Sequence, residues 1–96
     1  MPLALGFRSG QDVYIDDHRF LVFAVDSPVR FKLKNEETEE VFQITEQEWV
    51  LVLPKVWVQA GVQHMLDDLG LARAIFEAPR TIKIYRGDIW RQRRVK

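Results

Sequence analysis

Cysteine is absent from the sequence, which excludes disulfides, thiolate metal sites and thiol nucleophiles. A thiol-free chain fits a reducing compartment, and a cytoplasmic location is the expectation. Long apolar runs are also missing. The longest, Phe20 to Val25 with Trp49 to Leu53 next, falls far short of the roughly 20 residues that span a bilayer, and the amino terminus lacks the basic and apolar regions of a secretory signal. Five glycines are too few and too scattered to form a phosphate-cradling loop. No Ser or Thr sits in a nucleophile motif, and no acid–base pair is marked by spacing. The sequence therefore points to binding rather than catalysis, with no cofactor and no small-molecule substrate.

What remains is enough for one domain. A chain of 96 residues in which apolar types make up 47% can bury a core without metal or disulfide staples. Net charge is zero, yet it is unevenly spread. Residues 1–79 hold seven Lys/Arg against thirteen Asp/Glu, a net of −6, whereas residues 80–96 hold seven against Asp88 alone, a net of +6. A basic end on an acidic body favours a polyanion at one face, although a solvated tail has the same composition.

Strand signals dominate the first half. Leu3 to Phe7 is apolar and closes on Arg8-Ser9-Gly10. Val13 and Ile15 alternate with Tyr14 before the Asp16-Asp17 turn, and Phe20 to Val25 ends at Asp26-Ser27-Pro28. Val29, Phe31 and Leu33 alternate with Arg30, Lys32 and Lys34, the clearest period of two in the chain. An acidic turn over 35–40 then leads to Val41–Ile44. These runs predict a curled antiparallel meander over 3–44.

Beyond it the period changes. Thr45-Glu46-Gln47-Glu48 has capping-box form, and Val58, Val62, Met65, Leu66 and Leu69 fall on one helical face ending at Gly70. A helix over about 55–69 is predicted, with Val56-Trp57-Val58 as an alternative strand. Arg73–Phe76 is ambiguous. Ile82 and Ile84 read as a last strand, and Asp88–Arg94 as a short polar helix or tail. The predicted class is α+β: a small curled antiparallel sheet or barrel with one inserted helix. It forms a single domain, 1–96, with a meander (3–44), a helical insertion (45–70) and a C-terminal strand with basic tail (71–96).

His18 beside Asp16 and Asp17, and His64 before Asp67 and Asp68, each offer one imidazole with carboxylates. A metal needs three or four converging ligands, so both read as surface histidines rather than a metal site. Trp49 and Trp57 read as core or interface anchors.

Two segments carry a family pattern. Glu77-Ala78-Pro79-Arg80 is followed without a gap by Thr81-Ile82-Lys83-Ile84-Tyr85-Arg86-Gly87-Asp88-Ile89-Trp90. Leu3-Ala4-Leu5 runs through Arg8-Ser9-Gly10 to Val13-Tyr14-Ile15-Asp16-Asp17. Both resemble the carbon storage regulator family of bacterial RNA-binding translational regulators, in that family's order, with an insertion of about 35–40 residues between them. Tyr85 stands where the family has histidine. Val29–Leu33 and Arg73–Phe76 each could represent its strand before the Ala-Pro turn.

The resemblance implies a homodimer in which first and last strands of different subunits pair, and recognition of GGA-containing hairpin loops of RNA. By position it assigns Arg86 to phosphate or a guanine edge. Leu5 and Arg8 of the other subunit would complete the site, and Ala78 and Pro79 would form a turn whose backbone faces the bases. Arg80 and Tyr85 belong to the same implied set, and Tyr85 or Trp90 could stack on a base. A different class remains open. Gly10–Glu48, with Asp16-x-x-x-Phe20-x-Val22 and Glu36-x-Thr38-x-Glu40, also looks like small β-barrel interaction modules of phage or transposition proteins, which contact protein and not RNA.

Overall fold

A computed structural model of the chain describes residues 2–27, 29–61 and 71–94. Nine strands and one helix follow in order: β1 (Pro2–Arg8), β2 (Asp12–Ile15), β3 (His18–Ser27), β4 (Arg30–Asn35), β5 (Val41–Thr45), β6 (Val50–Leu53), β7 (Val56–Ala60), β8 (Leu71–Glu77), β9 (Ile84–Arg86) and α1 (Gly87–Arg94). They form two antiparallel sheets, ordered β1-β8-β7-β6 and β5-β4-β3-β2-β9, which do not close into a barrel.

Alternation builds the layers. Phe31 and Leu33 of β4 are buried while Arg30 and Lys32 are exposed, as their period of two requires. Phe20 and Val22 of β3, Val13 and Ile15 of β2, and Ile44 of β5 face the same core. From the other sheet Phe7, Val56, Val58 and Phe76 meet them, and Ala60, Ala72 and Ala74 let the sheet approach closely.

The meander is β2 to β5. The expected meander over 3–44 is corrected at its start, because β1 pairs along its whole length with β8, from Pro2↔Glu77 to Arg8↔Leu71. The chain leaves β1 through a turn in which Gly10 adopts φ 93° and the Gln11 N–H bonds the Arg8 carbonyl. A conformation that L side chains rarely adopt favours glycine there.

The helix predicted over 55–69 is corrected too. Residues 56–60 are β7, paired with β6 through Val50↔Val58 and Leu51↔Trp57, and residues 62–70 lie outside the described residues. Pro54-Lys55 makes the hairpin turn, with Lys55 at φ 66°, so the proline initiates a turn and not a helix. Val56, Val58 and Ala60 are buried with Trp57 exposed between them: β-branched and aromatic residues at period two take the strand. The capping-box residues start no helix either. Thr45 Oγ1 accepts the Gln47 N–H at 3.3 Å, a hydroxyl turn that redirects the chain from β5 to β6. The described part of the segment expected as a helical insertion over 45–70, residues 45–61, thus contributes two strands, β6 and β7, to the four-stranded sheet.

The acidic stretch after β4 is an ordered turn. The buried Asn35 accepts the N–H groups of Glu37 and Thr38 on its side-chain oxygen, and Glu39 takes φ 64°. The strand before Ala78-Pro79 is β8. No helix among the described residues is long and apolar enough to cross a membrane.

Candidate nucleic-acid interface

The carboxyl end is anchored to the sheet by a short strand and a helix. β9 pairs with β2 through Val13↔Arg86, Tyr14↔Tyr85 and Ile15↔Ile84. The last strand begins at Ile84, two residues later than Ile82, because Lys83 is engaged by the preceding hairpin: its N–H donates to Asp16 Oδ1 and its carbonyl accepts the Asp16 N–H. Helix α1 folds back onto β2, where Trp90 stacks on Tyr14 with ring centroids 3.9 Å apart and planes 7° from parallel. A stacked aromatic pair contributes beyond the area its rings bury.

Asp12, only 5% exposed, is the polar pin under this arrangement. It accepts Arg19 Nε at 2.7 Å, and Arg91 from α1 at 3.0 and 3.3 Å through both terminal nitrogens. Burial opposes the Asp12 charge, but the bonds from Arg91 and Arg19 outweigh it and hold the carboxyl below its usual range. Both arginines are in turn held more firmly protonated by the bond to Asp12. Gly87, the first residue of α1, is buried against this carboxylate. A Cβ there would lie 1.7 Å from Asp12 Oδ1.

Around the pin opens a cleft of about 370 Å³, lined by Arg19, Arg86, Arg91 and Asp88 together with Phe7 and Gly10. Arg86 is 41% exposed along its side chain, with Nε 3.5 Å from the exposed Asp88. Phe7 and Gly10 flank Arg8-Ser9, so the turn after the first strand and the last strand meet at one cleft within a single chain. On the other side of β9, a hollow of about 600 Å³ is lined by Tyr85, Trp90, Lys83, Asp16, Asp17 and His18.

The residues assigned by resemblance are only partly gathered. Tyr85 and Arg86 are consecutive on β9 and open into the two hollows just described. Ala78, Pro79 and Arg80 lie together in the turn between β8 and β9, where the Ile82 N–H bonds the Pro79 carbonyl. Arg8 is exposed at the end of β1, its N–H donating to Gln11 Oε1. Leu5 is half-buried and opens instead into a separate groove with Gly6, Leu71 and Ile75. β1 and β9 each take one partner from their own chain and stand at the edge of their sheets, so pairing between subunits would have to use their outer edges.

Asp12, Arg19, Arg91 and Gly87 were not legible as site residues. Asp12 and Arg91 stand 79 positions apart, and no local spacing marks such a pair. His18 Nδ1 donates to Glu37 Oε1 at 2.5 Å, and the described residues contain no cluster of three or more metal-ligating side chains. His64, Asp67 and Asp68 lie outside the described residues. Compared with protein-family models, curated proteins and solved structures, the chain has no match.

Proposed function

We propose that this chain is an RNA-binding module that takes single-stranded loops on its β9–α1 edge. The reading follows the likeness to carbon storage regulators, with GGA-type loops as ligand and a homodimer as the working unit. The observation that supports it best is the meeting of the two motif-bearing chain ends. Arg86 shares its cleft with Phe7 and Gly10, and Tyr85 beside it opens into a hollow with Trp90. Unpaired bases expose faces that aromatic rings can stack on and edges that a guanidinium can read. A short edge strand offering arginine to one side and tyrosine to the other suits a backbone running across it.

The test is binding of fluorescent GGA-loop and scrambled-loop hairpins, titrated with salt. Log affinity should fall against log salt with a slope of about −0.7 per neutralised phosphate. Arg86→Ala should weaken the GGA hairpin by about 1–3 kcal/mol, as a lost bidentate base contact does. Unchanged affinity in Arg86→Ala would remove the site assignment. Failure of every RNA to bind at low salt would remove the function and leave the protein-interaction reading. A sizing column run on the same samples tests the dimer.

A further inference from the structure

We propose a second nucleotide subsite on the opposite sheet: the indole of Trp57, flanked by Lys55 and Arg80, stacks on a base of the same single-stranded RNA. The proposal rests on the RNA-binding reading and extends it to Trp57 and Lys55, which lie outside the family motif.

Trp57 lies between two inward valines on β7 and is 41% exposed. Single exposed apolar residues are ordinary on protein surfaces. What sets this one apart is its setting. It lines a hollow of about 390 Å³ with Lys55, Glu77, Ala78, Pro79 and Arg80, so an indole face is bordered by two cations against one carboxylate. Aromatic platforms beside backbone-tracking cations are how single strands are held without regard to sequence. With Lys55 and Arg80 against Glu77, the border of the ring carries a net positive charge that complements a phosphate backbone.

The hollow is also continuous with the proposed interface. Ala78, Pro79 and Arg80 line both it and the neighbouring hollow, which continues to Ile82 and Ile84 at the start of β9. A strand leaving the β9 edge therefore meets the Pro79-Arg80 turn and then Trp57. The hairpin turn presents Lys55 to this path from a left-handed conformation, φ 66°.

Length resolves the two subsites. Unstructured RNAs of about 4 and about 12 nucleotides, the span of single-strand site sizes, are titrated against the full chain with intrinsic tryptophan fluorescence and anisotropy as readouts. Trp57→Ala should lose roughly 5- to 150-fold in affinity for the longer RNA, the range of one lost stacking contact. Its affinity for the shorter RNA, held at β9, should stay within about two-fold of the parent. Trp57→Phe, which keeps a ring, should recover most of the loss. Lys55→Gly removes a cation and relaxes the backbone, so it should make the salt slope shallower by about 0.7 without unfolding the chain.

Equal affinity of Trp57→Ala and the parent for the longer RNA would overturn the subsite while Arg86→Ala still tests the β9 site. A loss of the same size at both lengths would also overturn it, since disturbed folding acts on both. Absence of binding by any RNA would remove this proposal and the underlying function together.

Discussion

Substituting Gly87 by alanine sets two expectations of opposite sign against each other. Gly87 opens α1, and by helix propensity alone an alanine there would be better by up to about 1 kcal/mol. The packing predicts the reverse. The new Cβ would stand 1.7 Å from Asp12 Oδ1, 2.4 Å from its Cγ and 2.9 Å from Oδ2. The obstacle is a side-chain end, but not a mobile one. Asp12 is 5% exposed and is bonded by Arg19 and Arg91 from two directions. Either the carboxylate gives up those bonds or α1 lifts from β2, separating Trp90 from Tyr14. Overpacking at a well-filled site costs about 1–3 kcal/mol. For a domain of this size that lowers the melting temperature by about 4–8 °C per kcal/mol. Thermal unfolding of Gly87→Ala, Asp12→Ala and the double variant forms a cycle that isolates the clash. Once Asp12 is truncated, the alanine should cost little or become favourable. Additive losses, or a Gly87→Ala protein at least as stable as its parent, would refute the proposed contact.

The same pin has a pH signature. The folded Asp12 carboxyl titrates below its ordinary value of 3.8, so the folded chain binds that proton more weakly than the unfolded chain does. Its stabilising contribution is present above the unfolded value and is lost as pH falls through the lower folded one. Denaturant unfolding between pH 2 and pH 5 should therefore show a steeper acid decline in the parent than in Asp12→Asn, and parallel curves would exclude the pin. A separate prediction concerns the irregularity in β3, where the register with β4 shifts between Phe23 and Ser27. Ala24 sits there at φ 50°, a conformation costing an L residue roughly 1–2 kcal/mol, partly offset in glycine by unfolded-state entropy. Ala24→Gly should gain about 0.5–1 kcal/mol in urea unfolding and Ala24→Val should lose stability. A glycine variant less stable than the parent would argue against the strain.

Period-two alternation was readable wherever large side chains marked both faces. Val29 to Lys34 shows this best, since Phe31 and Leu33 contrast with lysine and arginine. β8 gave no such contrast. Its inward residues are Ala72, Ala74 and Phe76 and its outward ones include Leu71 and Ile75, so hydrophobicity barely alternates, and the strand reveals itself only by pairing with β1 and β7. In the stretch after Pro54, Val58 belongs to a helical set with Val62 and to a strand set with Val56 and Ala60. A window that short carries both periods, and what decided between them was tertiary: β6 supplies a hairpin partner that the local sequence does not announce. β1 leaves the meander for a similar reason. Its partner is some 70 residues away, and strand pairing at that range leaves no trace in local pattern. The site follows suit. Arg86 and Tyr85 were reachable through a contiguous motif, whereas Asp12 and Arg91 meet only because α1 folds back across β2.

That return also changes what the basic end can do. Counting charge after residue 79 treats its seven cations as equivalent, but the fold assigns them different work. Arg91 is bonded through both terminal nitrogens to a buried carboxylate, and leaving it to meet a phosphate would strand Asp12 without its partner at the helix. Among the described residues the Arg86 side chain is tethered by an exposed carboxylate at 3.5 Å, a contact of the surface kind that salt and competing anions displace easily. A polyanion would therefore draw on Arg86 before Arg91, and Arg91 serves by fixing the helix beside which Arg86 lies. Counterion release counts only the charges a ligand neutralises. The salt slope of RNA binding should then be shallower than the roughly −4.9 that seven phosphate contacts at about −0.7 each would give. Arg91→Gln should accordingly leave the slope unchanged, and a slope shallower by about 0.7 in that variant would mean that Arg91 leaves Asp12 to meet the ligand, and with it the seat of α1.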